Sequence, residues 1–396
     1  MARFAPPALA LCALLAAALP GAASASSTQS MTFEAPVDLA NPATRTAAFD
    51  EISSFGVRSV RIVLLWQNVA PAPSSRVKPE FDATDPAFYN WSPYDAQIVG
   101  AAARGWNVLL TVSGPVPRWA TNGARDNLTR PKPKEFQRFM TAVARHYGTR
   151  ISRWSIWNEP NQPQFLLPQY SAGRHTPLSP RIYRNLFFAA RRGLAAAGMA
   201  NAEVLVAETS PRGTGSVVAP LTFLRGMLCL DSRYRKVGNC APLSADGYAH
   251  HAYDLLHSPT YRWPNRDDVT MGTLYRLTRA LRKLRRSHAL LTPKGHTPPV
   301  YITEYGYFGG ADTRRSRKYD LPKRTQARYL RKAFTMARKN KHVKQMLQYL
   351  LVKPPRKWSY FQTQIMSPHF KPYPAYTALR KWTARQARHG GIKTRP

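Results

Sequence analysis

The 396-residue sequence predicts an α/β chain folded as a single (β/α)8 barrel, a TIM barrel, on three observations. Short apolar runs of β character alternate with helical patterns, and strands separated by helices pair in parallel through crossover connections. Eight such units in about 350 residues fit a closed barrel better than an open doubly wound sheet. No GxGxxG or GxxxxGK[ST] stretch follows the first strand, so the dinucleotide and P-loop classes lack their main feature. No linker divides the chain.

Apolar periodicity places the strands, in order, at MTFEA (31–35), SVRIVLLW (59–66), NVLLTVS (107–113), SRWSIWN (152–158), EVLVAE (203–208), ADGYAH (245–250), PVYITE (299–304) and KQMLQYLL (344–351). Helical patterns lie near 43–54, 93–104, 134–147, 180–197, 217–229, 271–287 and 323–339, with a last one near 374–385. Ser92-Pro93-Tyr94-Asp95 has capping-box spacing with Pro at the first helical position, and Ser179-Pro180 repeats the Ser-Pro start. Gly56, Gly148 and Gly198 follow helical runs where a left-handed residue is wanted.

Residues 1–25 are of another kind. Arg3 precedes an apolar run from Ala8 to Leu19, and Ala23-Ser24-Ala25 gives a small-x-small pattern before Ser26. These are the marks of a secretory signal peptide cleaved after Ala25. The run is shorter than the roughly 20 residues of a membrane span. Leu11 stands before Cys12 where a lipoprotein signal wants a small residue, and no later segment is apolar enough to cross a bilayer. The expected product is an exported, soluble monomer with its barrel over 26–384 and a basic tail over 385–396. In an oxidising compartment Cys229 and Cys240 form one local disulfide; two buried free thiols are the alternative.

Charge points the same way. Lys and Arg number 58 against 21 Asp and Glu, a formal net charge of +37, and no acid follows Asp320. Such a surface attracts polyanions: anionic wall polymers, acidic polysaccharides or phospholipid headgroups. A generally basic surface with no dedicated partner is the alternative. The cations are spread through helices instead of forming a nucleic-acid module, so no nucleic acid is expected.

In a barrel the chemistry belongs at the C-terminal ends of the strands. Glu159 ends strand 4 and Glu304 ends strand 7. Alternation puts Ser155, Trp157 and Glu159 on one face, and Val300, Ile302 and Glu304 on one face, so each acid is expected to reach the mouth. Asn158 and Glu159 are adjacent, so a local bend or bulge is expected where both turn inward. Two facing carboxyls suit glycosidic cleavage, one as proton donor and one ionised. Glu34 and Glu208 are rival mouth carboxylates that bind sugar hydroxyls or pair with Arg. His250 and His251 are neighbours on a strand and point to opposite faces, so no metal pair is expected, and no cofactor.

The contexts WSIWNEPN (154–161) and ITEYG (302–306) resemble the acid/base and nucleophile segments of the clan A glycoside hydrolases, retaining (β/α)8 enzymes that include family 5 cellulases and mannanases and family 39 xylosidases. SVRIVLLW, DGYAHHAY and KPYPAYTAL resemble other segments of these enzymes, so the likeness spans about 31 to 383. It implies Glu159 as general acid/base and Glu304 as nucleophile. It further implies Asn158 bonded to a sugar 2-hydroxyl, Arg61 near the nucleophile, Tyr253 orienting it, and His251 with Tyr253 at the H-x-Y positions. Strand 3 offers SGPVPRWA where many family 5 members have His, and Tyr349 and Trp358 are two candidates for the strand 8 aromatic. Trp66 and Trp119 lead a set of possible sugar platforms that also holds Tyr89, Trp91, Phe165, Tyr170, Tyr307 and Phe308. The expected function is an exported retaining hydrolase of a β-linked glycan. A transglycosylase and a catalytically silent carbohydrate- or wall-binding protein are the alternatives.

Overall fold

The computed structural model describes residues 29–174, 176–355 and 361–390; the expected signal peptide, Trp358 and the end of the basic tail lie outside the described residues. Eight strands form one closed parallel barrel: β1 Ser30–Glu34, β2 Ser59–Leu65, β3 Asn107–Ser113, β4 Arg153–Ile156, β5 Val204–Thr209, β6 Gly247–His251, β7 Val300–Glu304 and β8 Val343–Tyr349. Each pairs with its sequence neighbours, and β8 closes on β1 through Ser30–Glu34 against Gln345–Tyr349. The strand ends lie within one or two residues of those read from the sequence.

A helix follows each strand: α1 Pro42–Ser54, α2 Ser92–Ala103, α3 Pro133–Tyr147, α4 Ser179–Ala196, α5 Pro220–Met227, α6 Leu274–Arg286, α7 Lys323–Lys339 and α8 Pro374–Arg388. Their apolar residues recur at helical spacing, as Phe136, Met140, Val143 and Tyr147 do on α3, and so bury one face against the strands. The α3–α4 approach needs Gly193, where a Cβ would meet the Gln137 carbonyl oxygen at 2.5 Å. Two caps differ from expectation. Ser92 does not cap α2 but donates to Asn90 Oδ1, and Ser179 donates to Gln169 Oε1. Cys229 and Cys240 are joined by a disulfide after α5, with their Cα atoms 5.9 Å apart.

The core has two parts. A large shell between strands and helices contains Val300, Ile302, Trp154 and Ile156. A small plug inside the barrel consists of Leu109, Leu205, Ala249 and Tyr301. Tyr301 fits because Gly247 faces it; a Cβ there would lie 2.4 Å from the ring. Its hydroxyl donates to Glu203 at 3.1 Å and Arg153 covers its face at 4.5 Å, closing the lower end. Chemistry is therefore confined to the opposite end.

This placement corrects one step of the sequence reading. Val300 and Ile302 face outward into the shell, so plain alternation would leave Glu304 facing out as well. The β6–β7 register passes from His250–Ile302 to His251–Glu304, skipping Thr303. That bulge rotates Glu304 onto the inner face. Glu208 is re-aimed in the same way, since the β5–β6 register passes from Ala207–Ala249 to Thr209–His250.

Candidate active site

Side chains from β1, β3, β5 and β7 and from just beyond β4 converge on Arg61 of β2. The β2 parity that puts Ser59 and Arg61 inside the barrel holds its guanidinium on the axis, where it is 1% exposed. Nη1 donates to Glu34 and, at 2.7 Å, to Glu304 Oε1. Nη2 donates to Asn158 Oδ1 at 2.8 Å, and Nε to Glu208 Oε1 at 3.2 Å and Thr111 Oγ1 at 3.0 Å. Burial works against the Arg61 charge, but Glu208, Glu34 and Glu304 outweigh it and hold its pKa well above the ordinary value.

At the end of β4 the chain leaves the regular strand. Trp157 has φ 69° and Glu159 φ 39°, left-handed conformations that only strong surroundings impose on such residues. Trp157 is thereby thrown outward onto Phe136, its Nε1 donating to the Phe165 carbonyl at 3.0 Å. Asn158 and Glu159 both turn into the mouth, and Ser113 Oγ accepts the Asn158 amide at 3.0 Å. This is the bend that an inward Asn-Glu pair requires.

Glu159 and Glu304 meet across the mouth, with an oxygen of each and His251 Nδ1 all within 4.8 Å of one another. Glu159 Oε1 shares a hydrogen bond with His251 Nδ1 at 2.8 Å, and its Oε2 accepts from Gln162 at 2.5 Å. Burial pushes its carboxyl up to about 8, against the opposing influence of Arg61. Glu304 Oε2 accepts from the Tyr253 hydroxyl at 3.2 Å. Burial also raises the Tyr253 pKa well above its usual value and lowers that of His251, which favours the neutral imidazole. Among the described residues these two acids and His251 are the one trio of metal-ligand donors in mutual reach; His251 is bonded to Glu159, and Glu304 to Arg61 and Tyr253.

Other expectations fare differently. Arg61 and His251 are buried, at 1% and 0% exposed, and their contacts are with the mouth carboxyls. Glu34 and Glu208 are drawn into the Arg61 network, and burial pushes Glu34 up to about 8. Trp66 and Trp119 are no sugar platforms: at 0% and 1% exposed they belong to the shell, Trp66 stacked on Phe139 at 4.8 Å and Trp119 edge-on to Trp66 at 5.8 Å. Tyr89, Trp91, Tyr307 and Phe308 are buried too, while Phe165 and Tyr170 are half-buried. Tyr349 stands half-buried at the end of β8, and burial, with Glu34 and Glu304 beside it, holds its hydroxyl pKa well above the usual value. The sequence reading overlooked Gln162. Its position three residues past Glu159, after a proline that ends the strand, was the available signal.

The chain is similar in fold to several solved barrels. One is a family 39 glycoside hydrolase from Bacteroides cellulosilyticus WH2, at TM-score 0.54 and 15% identity over 91% of this chain and 64% of that one. Another is a monomeric beta-xylosidase from Caulobacter crescentus CB15, at TM-score 0.53 and 17% identity over 90% of this chain and 68% of that one. A third is xylanase 10B from Thermotoga maritima, at TM-score 0.53 and 15% identity over 92% and 97%. The chain thus spans about two thirds of the length of the first two. No family model matches the chain, and no curated protein matches its sequence. At such identities the likeness establishes the (β/α)8 fold alone.

Proposed function

We propose that this protein is a retaining glycoside hydrolase acting on a β-linked oligo- or polysaccharide. The observation that carries the reading is the close approach of Glu159 and Glu304, within 4.8 Å at their oxygens, in unequal surroundings. Retaining enzymes hold their two carboxyls about 5–5.5 Å apart, whereas inverting ones leave room for water between them. Glu159, kept protonated by burial, gives its proton to the leaving oxygen. Glu304, oriented by Arg61 and Tyr253, attacks the anomeric carbon and forms a glycosyl ester. Glu159 then takes a proton from water, which releases the sugar. With its Oδ1 taken by Arg61, Asn158 offers its amide hydrogens to a sugar hydroxyl, and Tyr349 offers a ring to the sugar face.

Product configuration tests the reading. With aryl β-glycosides, NMR should show the β-anomer first; a first-formed α-anomer sinks the double displacement. Turnover should fall as pH rises through about 8, where Glu159 loses its proton. Gln162→Leu removes a donor that favours the charged carboxylate, so the alkaline limb should move to higher pH. A limb that stays put or moves down contradicts the assignment of Glu159. Added sugar acceptors separate hydrolysis from transglycosylation. Glycan binding without turnover of any glycoside would favour a silent binding protein.

The reading includes export, with which the Cys229–Cys240 disulfide agrees. Among the described residues no helix is long and apolar enough to cross a membrane. It also includes an anionic polymer as partner. On α6 stand six Lys and Arg, on α7 seven and on α8 four, with no acid in any of the three. Among the described residues none of these cations forms an ion pair; Arg276 leans on the Asn265 and Asp268 carbonyls, and Lys283 on the Tyr234 ring at 4.6 Å. Such a one-signed flank should hold the protein on a sulfated-dextran resin until high salt. Converting Arg324, Arg328, Arg331 and Lys332 to Glu should release it at markedly lower salt. Unchanged elution would remove this flank as the contact.

A further inference from the structure

The proposed function leaves unused a polar cavity of about 550 Å³ on the mouth rim, lined by Gln67, Asn68, Arg118, Arg125, Asp126 and Asn127 among others. That volume lies within the range of small-ligand sites, about 300–1,000 Å³. Gln67, Asn68, Pro73 and Ser74 come from the loop after β2, and Arg118, Arg125, Asp126 and Asn127 from the loop after β3. This loop is bonded to the one that follows Glu159: the Arg130 amide donates to the Leu167 carbonyl at 2.8 Å, and the Leu167 amide to the Leu128 carbonyl at 3.0 Å. The cavity therefore belongs to the rim that carries the candidate proton donor, off the barrel axis.

Its chemistry is not that of a neutral sugar site. Two guanidinium groups line it against one carboxylate, an excess of one positive charge, and both oxygens of that carboxylate already accept hydrogen bonds within its own loop. Asp126 Oδ1 accepts from the Leu128 and Thr129 amides at 2.9 and 2.7 Å, and Oδ2 accepts from Thr129 Oγ1 at 2.7 Å. Among the described residues Arg118 donates from Nη2 to the Arg125 carbonyl at 3.2 Å, and its buried Nε meets no acceptor. The amides are fixed in advance, since Asn127 Nδ2 donates to Gln67 Oε1 at 2.6 Å. A guanidinium with unused donors in a rigid polar cavity suits an oxyanion, which can accept two parallel hydrogen bonds.

We infer that this cavity is a subsite for an anionic sugar residue of the substrate chain, one carrying a carboxylate, sulfate or phosphate, held by Arg118 and Arg125. The inference rests on the glycan-cleaving reading and names the substrate class: an acidic glycan, cleaved at a bond whose neighbouring unit reaches this rim. The acid-free helical flank fits the same class of polymer, attracting it without reading its sequence.

Binding tests the subsite separately from turnover. The Glu304→Gln protein is titrated calorimetrically with uronate-containing, sulfated, phosphorylated and neutral oligosaccharides of equal length. One acidic series should bind about tenfold more tightly than the neutral one, the worth of a charge-assisted hydrogen bond, and which series does so identifies the oxyanion. Arg118→Gln with Arg125→Gln should abolish that preference, while Arg118→Lys retains part of it. In the active protein, the double Gln variant should leave kcat and KM on a simple aryl glycoside unchanged and raise KM on the acidic oligosaccharide alone. Equal affinity for acidic and neutral oligosaccharides, or a preference that survives the double substitution, overturns the subsite. Preference without hydrolysis of any glycoside overturns the hydrolase reading and supports the subsite.

Discussion

Glu304→Gln should abolish turnover and leave the fold intact. The amide is isosteric with the carboxyl: its oxygen can still accept from Arg61 Nη1, now 2.7 Å from Oε1, and its nitrogen can donate to the Tyr253 hydroxyl, now 3.2 Å from Oε2. It cannot form the glycosyl ester, so kcat on an activated aryl glycoside should fall by about 10⁴-fold or more, roughly 5 kcal/mol of barrier. The thermal midpoint should stay within a few degrees of the parent. Glu159→Ala separates the two roles. On a substrate with a good leaving group the ester should still form and then accumulate, because nothing activates the water. Azide should restore turnover and give a product of retained configuration. Residual activity of Glu304→Gln within tenfold of the parent would remove it as nucleophile.

Arg61→Met should do the largest structural damage of any single change at the site. Among the described residues Arg61 is the only Lys or Arg paired with Glu34, Glu208 and Glu304, and all three are mostly or fully buried. Taking away one partner of a buried ion pair costs about 3–5 kcal/mol, since the remaining charge is left without water or counter-ion. The loss should depend on pH in a definite direction. Burial raises Glu34 from 4.5 to about 8, so the folded state holds that proton more tightly than the unfolded one. The stability this contributes is complete below about 4.5 and is lost as pH rises through about 8. Arg61 opposes that rise, so without it the melting temperature should fall more steeply between pH 5 and 8. Adding Glu34→Gln should recover part of the loss at pH 8 and little at pH 5, a coupling readable from a double-mutant cycle. Equal melting temperatures for parent and Arg61→Met across this range would show that the network carries no stability.

The barrel was legible because alternating β and helical patterns are local properties of a chain, and eight of them leave few ways to bury every strand. The positions of Glu159 and Glu304 at strand ends followed from the same pattern, whereas Arg61 was placed near Glu304 only by the resemblance of SVRIVLLW to a family segment. The cysteine pair was readable from its short separation. What failed was reasoning that treats a strand as perfectly regular. Val300 and Ile302 face outward, and Glu304 comes inward because Thr303 is bulged out of register. Glu208 reaches Arg61 by a similar irregularity. Trp66 and Trp119 stand just beyond strands, where a platform was expected, but packing against Phe136, Phe139 and Phe81 took them into the shell.

The sequence by itself thus determined the architecture, the two acids and the excess of positive charge. Only the tertiary structure decided that two further carboxyls, Glu34 and Glu208, share one guanidinium with Glu304, that burial raises the pKa of Glu159, and that two arginines line a polar cavity on the rim. The physical reason is range. Periodicity and turn chemistry act between residues a few positions apart, and a chain displays them in order. Desolvation and charge coupling act through space, between residues such as Glu34 and Glu304 that lie far apart along the chain, and exist only once the barrel has closed.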